Sequence, residues 1–143
     1  MVRTRAVVFD KDGKILVQHH EGSKPDFYRL PGGGVRFREK AEDCLIREVR
    51  EEAGFDVRVD RLLWVRDFLD ESNNHSIELF FLAIVIGGKF TPTPEAENME
   101  LLFVALEELE KLVFYPKAFI PKLKLLRDNR NWVEKNPYVR SAN

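Results

Sequence analysis

One segment, residues 31–54, limits what this chain can fold into more than any other part of the sequence. It begins with Pro31 and three glycines, and then runs through a long charged stretch that has no further glycine until Gly54. Glycine accepts positive φ freely, so the glycine run predicts a tight backbone path that is neither helix nor strand. The charged stretch predicts a helix over residues 39–53, so this irregular loop must lead directly into a helix.

The predicted helix over residues 39–53 carries one apolar stripe. Its apolar side chains recur at the spacing of a helical face, which predicts that this face packs on the rest of the protein. They are Ala41, Cys44, Leu45, Val49 and Ala53. Acidic residues occupy the first turn, where the helix dipole favours negative charge, and Gly54 follows the last turn as a C-cap would. Cys44 is therefore predicted to be a small buried residue rather than a nucleophile.

Three glutamates, Glu48, Glu51 and Glu52, crowd together in the second half of this helix. Glu48 and Glu52 are one helical turn apart, and like charges at that spacing destabilise a helix by roughly 0.2–0.5 kcal/mol per pair. We expect all three to project from the face opposite the apolar stripe, where a solvated acidic surface is the simplest explanation. The alternative is a metal site, because clustered carboxylate oxygens suit Mg²⁺ or Mn²⁺, which would offset their repulsion.

The neighbouring residues favour the metal site over the solvated surface. The glycine run lies just before the helix, so its backbone can approach the same cation and a phosphate group. Arg47 lies beside the glutamates and can orient one of them through a bidentate contact. Carboxylates, an anion-accepting loop and an arginine together indicate metal-assisted hydrolysis at phosphorus.

Composition places the chain among ordinary globular proteins. Its 143 residues are 44% hydrophobic and suffice for one domain with a core, predicted to span residues 1–143. The net charge of −1 gives no general attraction to nucleic acid or to membranes. The single cysteine excludes an internal disulfide, and we expect neither a signal peptide nor a membrane span. These features predict a cytoplasmic protein with no nucleic-acid or membrane partner.

Apart from this helix, the sequence is rich in predicted strands. Two apolar runs flank an Asp-Gly turn near Gly13 and predict a β-hairpin. Further strands are followed by a short helix near Leu106 and a final helix over residues 117–129. This order of elements is typical of an α+β or α/β sandwich. The predicted strands are residues 5–10, 15–20, 27–30, 55–69, 77–87 and a segment from 99 onward.

The segment from Gly33 to Phe55 resembles the signature box of the Nudix hydrolases, written G-x5-E-x7-R-E-U-x-E-E-x-G-U with U a bulky aliphatic residue. Every fixed position is matched, and only the last U position departs from the pattern, because Phe55 is aromatic. The matching residues are Gly33, Glu39, Arg47, Glu48, Glu51, Glu52 and Gly54. The resemblance implies an α/β fold, the Nudix α/β/α sandwich with a mixed central sheet and a catalytic loop–helix–loop at about 32–55.

The resemblance also implies Mg²⁺-dependent hydrolysis of a nucleoside diphosphate linked to another moiety, with Mn²⁺ as an alternative cation. Two or more metal ions would bind, and Glu48 is the first candidate for the general base. The family often uses one further carboxylate from a loop before the last strand, where Glu97 is our first choice and Glu95 and Glu100 are rivals. The implied metal ligands are therefore Gly33, Glu48, Glu51, Glu52 and Glu97.

Further roles follow from the resemblance and from residue type. Arg47 and Glu39 would form salt bridges that hold the loop–helix–loop together. The loop departs from many members at Arg36 and at Arg38, which stands in place of a glycine and is expected to have an ordinary backbone. The candidate substrate-binding residues are Tyr28, Arg29, Gly32, Gly33, Gly34 and Arg36, with Phe27, Trp64, Phe68 and Arg66 as weaker candidates.

The substrate and some alternatives stay open at this stage. Subgroups of the family carry a proline or a tyrosine downstream of the box, where this chain has Asp70, Glu71 and Ser72. A nucleoside triphosphate and an ADP-ribose or other nucleotide sugar are therefore equally plausible substrates. A nucleotide-binding sensor without hydrolysis is the alternative function, and a prenyl diphosphate isomerase is a third. A homodimer is plausible by analogy with the family.

Overall fold

The computed structural model describes residues 1–93 and 98–140, which form nine strands and three α-helices. The first half contains β1 (Val2–Val7), β2 (Ile15–His20), β3 (Phe27–Arg29), β4 (Gly32–Gly34), α1 (Ala41–Ala53) and β5 (Phe55–Leu69). The second half contains β6 (His75–Gly88), β7 (Met99–Val104), α2 (Leu106–Leu109), β8 (Phe114–Tyr115), α3 (Ile120–Asp128) and β9 (Tyr138–Arg140). A 3₁₀ turn, Lys117–Phe119, leads into α3, which has Pro121 in its first turn.

The strands form two mixed sheets, so the predicted α/β class is confirmed. One sheet has the order β4-β1-β6-β5-β9, in which β1 pairs parallel with β6 and antiparallel with β4. The other has the order β7-β2-β3-β8, in which β2 pairs antiparallel with both of its neighbours. The long antiparallel pair of β5 and β6 forms the body of the first sheet.

The predicted hairpin of the first two strands is present only at its turn. Asp10 and Lys14 are joined by a backbone hydrogen bond of 2.9 Å, and Gly13 has a φ of 77°. Beyond this turn β1 and β2 diverge into different sheets, because both edges of β1 are already occupied by β4 and β6. This divergence lets α1 and the two sheets enclose a common interior.

The prediction that the three glycines form no regular structure is wrong, since Gly32–Gly34 is a strand paired with β1. Gly32 and Gly33 are needed for close approach, and Gly32 also has a φ of 149°, which residues with a Cβ rarely adopt. A Cβ on Gly32 would lie 1.9 Å from the carbonyl oxygen of Thr4, and one on Gly33 would lie 2.5 Å from Oε1 of Glu48. The missing side chains therefore bring the backbone of β4 directly against β1 and α1.

Helices cover the two sides of the sheets and bury separate apolar clusters. Leu45, Val49 and Ala53 of α1 pack with side chains that include Leu16 and Phe81. The other cluster gathers α2, α3 and the aromatic residues of the interior. That cluster includes Trp64, Phe80, Phe119 and Leu123, with Trp132 packed against it. Among the described helices, none is long and apolar enough to cross a membrane.

Candidate metal and substrate site

The glutamates of α1 do not share one exposed face. Glu48 is 6% exposed and Glu52 is fully buried, whereas the side chain of Glu51 is 45% exposed. The prediction that all three project away from the apolar stripe is therefore wrong for two of them. The reason is helical geometry, because Glu52 follows Leu45 by almost two full turns of about 3.6 residues each and so lies on the same side.

Arg47 holds the loop, the helix and two of the glutamates together. Its guanidinium donates to both carboxylate oxygens of Glu39 at 2.8 and 3.0 Å, to Glu48 at 2.9 Å and to Glu51 at 3.3 Å. The hydrogen bonds from Arg47 and from the backbone of Arg36 lower the pKa of Glu39 to about 2. The hydrogen bonds that Arg47 donates to Glu39 and, less strongly, to Glu48 raise the pKa of Arg47. The charges of this clamp are therefore fixed across the physiological pH range.

One oxygen of Glu48 is free to accept a cation. Oε1 of Glu48 accepts from Arg47, but Oε2 is buried and has no hydrogen-bond partner within residues 1–93 and 98–140. Buried carboxylate oxygens are normally paired, so such an atom calls for a ligand. The backbone of Gly33 lies against this carboxylate with no side chain between them. The donor set consists of hard oxygens and fits a divalent cation of the Mg²⁺ or Mn²⁺ type.

Glu52 is held by two hydrogen bonds from other elements. Nε2 of Gln18 donates to its Oε1 at 2.7 Å, and the backbone N–H of Gly32 donates to its Oε2 at 3.2 Å. The α1 carboxylates are thus oriented by β2 and β4 before any ligand arrives.

Cys44 is buried in the same place, as predicted. Its Sγ lies 3.5 Å from the carbonyl oxygen of Gly34 and 3.5 Å from the hydroxyl oxygen of Thr4. Burial raises the pKa of the thiol, which keeps it protonated and unsuited to act as a nucleophile. Its contacts instead help to hold the glycine strand against α1.

Two adjoining cavities have volumes of about 310 and 410 Å³, and Arg29, which lines both, is linked to the α1 glutamates through Gln18 and Glu52. They share four lining residues: Arg5, Arg29, Phe68 and Glu78. The smaller cavity is aromatic, with Phe27, Phe80 and Tyr115 in its wall. The larger is more polar, with Arg3, Asp70, Asn74 and Ser76 among its lining residues. Together they form a cleft whose one end is richer in aromatic side chains and whose other end is richer in polar side chains.

Glu78 balances two of the arginines in this cleft. Oε2 of Glu78 accepts from Nε of Arg5 at 3.0 Å, and Oε1 accepts from Nη1 of Arg66 at 2.6 Å. Burial by itself raises the pKa of Glu78, but the two adjacent guanidinium groups outweigh it, so the net pKa is lowered. Both carboxylate oxygens therefore accept a hydrogen bond from a buried arginine.

Arg29 lies in the cleft without a carboxylate partner among the described residues. Its Nε donates to Oε1 of Gln18 at 2.9 Å, and its terminal nitrogens have no hydrogen-bond partner in that part of the chain. Burial, together with the positive charges of Arg5 and Arg3, lowers the pKa of Arg29 to about 10. Burial and repulsion from these neighbours thus disfavour the charged form of Arg29, and an incoming anion such as a phosphate group would stabilise it.

Some predicted residues lie away from this cluster. Tyr28 faces the other side of β3 from Arg29 and stacks on His19 at 4.3 Å between ring centroids. Arg36 is exposed and contributes its backbone N–H to Glu39. The ordinary backbone expected at Arg38 is wrong, since its φ is 63°. Arg38 takes the left-handed conformation, which glycine adopts without steric cost and which explains why many proteins with the resembling box have glycine here.

Of the three candidates for the further carboxylate, Glu100 lies among the described residues. Glu95 and Glu97 lie outside the described residues. Glu100 lies on β7, opposite His19 of β2. Its neighbour Leu101 packs on α1, and successive side chains of a strand point to opposite faces, so Glu100 faces away from the α1 glutamates. Its carboxylate lies with His19 and Glu21 in a group whose ligand atoms are within 4.8 Å of one another.

Sequence reasoning missed Arg5, Gln18 and Glu78. Each is a polar residue at a buried position of a strand, next to at least one apolar residue. The signal available in the sequence was this interruption, because a charge in a buried strand requires a partner. The identity of that partner depends on how the strands pair.

The comparisons with known proteins agree with this geometry. The NUDIX domain family model matches residues 1–123. An ADP-ribose pyrophosphatase of Methanocaldococcus jannaschii is 32% identical over 127 residues, covering 87% of this chain and 70% of that protein. The crystal structure of an ADP-ribose pyrophosphatase from Streptococcus suis is 26% identical, with a TM-score of 0.67 and 98% of each chain covered.

A second relative matches a shorter part of the chain. An NAD-capped RNA hydrolase, NudC of Vibrio atlanticus, is 34% identical over 86 residues, and the match covers 60% of this chain but 31% of that protein. The domain match spans most of the chain and includes the glycine strand, α1 and the cleft. The chain therefore belongs to the Nudix hydrolase family and is a Nudix pyrophosphohydrolase.

Proposed function

We propose that this protein hydrolyses the diphosphate linkage of ADP-ribose, or of a closely similar nucleoside diphosphate sugar, with Mg²⁺ as the cofactor. Nudix proteins typically use a divalent metal and act on nucleotide-linked small molecules. The observation that carries the proposal is the buried oxygen of Glu48 that has no hydrogen-bond partner in the described part of the chain. It is supported by the cleft that Arg29 lines, since Arg29 has no carboxylate partner among the described residues and is linked through Gln18 to Glu52. The names of the two ADP-ribose pyrophosphatases support the choice of substrate.

The residues that would hold the cation are those around the free oxygen of Glu48. They are the carboxylates of Glu48, Glu51 and Glu52 and the backbone carbonyl of Gly33. Glu97 stays a proposal for a further ligand. A bound divalent cation would supply positive charge to the phosphoryl oxygens and acidify a water molecule.

The chain's own groups would prepare and complete the hydrolysis. Arg47 fixes Glu48 through Oε1, so Glu48 would act through Oε2, either as a ligand of the cation or as the acceptor of the proton from the attacking water. Gln18 and Gly32 hold Glu52 in one orientation. Water then adds across the P–O–P linkage, so that ADP-ribose yields AMP and ribose 5-phosphate.

The cleft would bind the two ends of the substrate. Arg29 lines both cavities, so its terminal nitrogens can contact the diphosphate where the two ends meet. The aromatic end, with Phe27 and Tyr115, suits a nucleobase, since flat rings stack on aromatic side chains. The polar end suits a second sugar. Phe27 and Arg29, rather than Tyr28, are therefore the proposed contacts from β3.

Other predictions remain as stated from the sequence. These are a single domain over residues 1–143, Mn²⁺ as an alternative cation, a cytoplasmic location and a homodimer. None of them is needed for the chemistry of the site, since every group named above comes from one chain.

The test is product release from a substrate panel with Mg²⁺, with Mn²⁺ and with EDTA. The panel contains ADP-ribose, nucleotide sugars, NADH, dinucleoside polyphosphates, and canonical and oxidised nucleoside triphosphates. We expect metal-dependent formation of AMP from ADP-ribose at the highest kcat/KM. Preferred turnover of a triphosphate would overturn the substrate, and nucleotide binding without turnover of any member would favour the non-hydrolytic sensor.

A further inference from the structure

We propose that Gln18 is a positioning residue that keeps the substrate-binding Arg29 and the metal-binding Glu52 apart while it orients both. The inference rests on the proposed function, because it places Gln18 between the two halves of that site. Gln18 is 1% exposed and lies on β2, between α1 on one side and β3 on the other. A buried amide in this position needs partners for both its donor and its acceptor.

The contacts of Gln18 determine how its amide is oriented. Its Nε2 donates to Glu52 at 2.7 Å, and its Oε1 accepts from Nε of Arg29 at 2.9 Å. A carboxylate only accepts and a guanidinium only donates, so the opposite orientation would break both bonds. His20 also lies 3.2 Å from Oε1, which requires its Nε2 to carry the proton.

Among side chains of this length, the amide is suited to bridge these two ions. A glutamate here would face the carboxylate of Glu52, and a lysine would face the guanidinium of Arg29. An amide satisfies an anion and a cation at once without adding charge. It therefore orients two charged groups that would otherwise attract each other directly.

The consequence of losing this bridge is a competing ion pair. Glu52 and Arg29 are near enough that the charge of Glu52 acts on the pKa of Arg29. If the two paired directly, Glu52 would lose freedom to bind a cation and Arg29 would lose freedom to bind phosphate. Gln18 prevents this pairing, so a single neutral residue maintains both the metal side and the phosphate side of the site.

The first experiment uses Gln18→Met, which keeps similar volume but removes both hydrogen bonds. We expect the Mn²⁺ affinity measured by electron paramagnetic resonance to fall by about 10-fold or more, the effect typical of residues that support a metal ligand. The KM for ADP-ribose should rise and kcat should fall. Lys14→Met is the control, because it introduces the same side chain at an exposed position just before β2 and should leave Mn²⁺ affinity unchanged.

A second pair of variants separates positioning from simple packing. In an Arg29→Met background no competing ion pair can form, so adding Gln18→Met should cost much less Mn²⁺ affinity than it costs in the parent. Metal-free thermal unfolding reports whether each variant is folded. If Gln18→Met does not fold, Gln18→Asn serves instead, since the shorter amide cannot span both partners.

The outcomes distinguish this inference from the proposed function. Unchanged Mn²⁺ affinity and KM in Gln18→Met would overturn the inference alone. An equal loss with and without Arg29 would also overturn it, because Gln18 would then act on Glu52 without reference to Arg29. A parent protein that binds no Mn²⁺ would overturn both proposals, whereas one that binds Mn²⁺ with the expected coupling but hydrolyses nothing would overturn only the activity.

Discussion

Glu48 and Glu78 are buried to the same degree, each 6% exposed, yet their surroundings differ in one respect. Glu78 accepts a hydrogen bond from an arginine at each oxygen, so its charge is balanced inside the protein. Glu48 has Arg47 at one oxygen and no partner at the other within the described residues. Burial is costly for both carboxylates, but only one of them is fully compensated by the fold.

The difference separates a structural carboxylate from a ligand-binding one. A buried charge that is fully paired stabilises the fold when its partners are present and is costly to break. A buried charge that lacks a partner leaves the ligand-free protein less stable and gains most when a cation binds. The same mutation, glutamate to glutamine, should therefore have opposite consequences at the two sites.

The largest effect is expected on activity in Glu48→Gln. Glutamine keeps an oxygen for Arg47 but places an amide where the free oxygen stands, which removes a metal ligand and the proposed base. We expect kcat/KM for ADP-ribose to fall on the order of 10²–10⁴-fold, as for loss of a catalytic acid or base. Steady-state kinetics with saturating Mg²⁺ measure this fall. Glu42→Gln, an exposed change in the first turn of the same helix, is the control, and parental activity in Glu48→Gln would refute the assignment.

The next effect is on stability in Glu78→Gln. This change leaves Arg5 and Arg66 buried without their carboxylate, and breaking such a network costs roughly 3–5 kcal/mol of unfolding free energy. Glu48→Gln should not lower the metal-free unfolding free energy, because it removes an uncompensated charge. Urea unfolding in EDTA compares the two variants, with the exposed change Glu71→Gln as the reference. Equal destabilisation by both would remove the distinction drawn above.

How much of this site the sequence predicted depends on the distance between partners. The resemblance carried by residues 33–55 implied the contact between Arg47 and Glu39, and the helical spacing predicted that the α1 glutamates lie close to one another. Arg5 and Glu78 are 73 residues apart, and Gln18 and Glu52 are 34 apart. Those contacts arise from strand pairing between distant segments, which no local pattern specifies.

The fold was predicted in the same uneven way. Helix positions and most strands follow from periodicity, but the glycine strand was mistaken for an irregular loop. The run of glycines signalled an unusual backbone, but it did not say of which kind, because glycine is required both where φ is positive and where another chain segment approaches closely. The structure shows that both reasons apply at Gly32, whose φ is 149° and where a Cβ would meet the carbonyl oxygen of Thr4, whereas close approach to Glu48 applies at Gly33.

A pH titration of stability sharpens the contrast further. The net pKa of Glu78 is lowered in the folded protein from its ordinary value of 4.5, so the unfolded chain takes up this proton at higher pH than the folded one. Its stabilisation is complete above 4.5 and is lost as the pH falls through the folded pKa. We therefore expect the gap in unfolding free energy between the parent and Glu78→Gln to shrink on acidification below that value. A gap that stayed constant would mean that the ionised carboxylate is not what the arginines require.

The smallest effect is expected at Arg38, in the loop that leads into α1. A left-handed backbone costs a residue with a Cβ roughly 1–2 kcal/mol, whereas glycine adopts it freely at some entropic cost in the unfolded chain. We expect Arg38→Gly to raise the unfolding free energy by about 1 kcal/mol. Arg36→Gly is the control, since Arg36 is not among the residues with positive φ and glycine should give no gain there.

Because Arg38 touches neither buried carboxylate, the gain should appear equally in the Glu48→Gln and Glu78→Gln backgrounds. A gain confined to one of them would mean that the loop conformation is coupled to the charge of that site, which the contacts of the Arg47 clamp do not require.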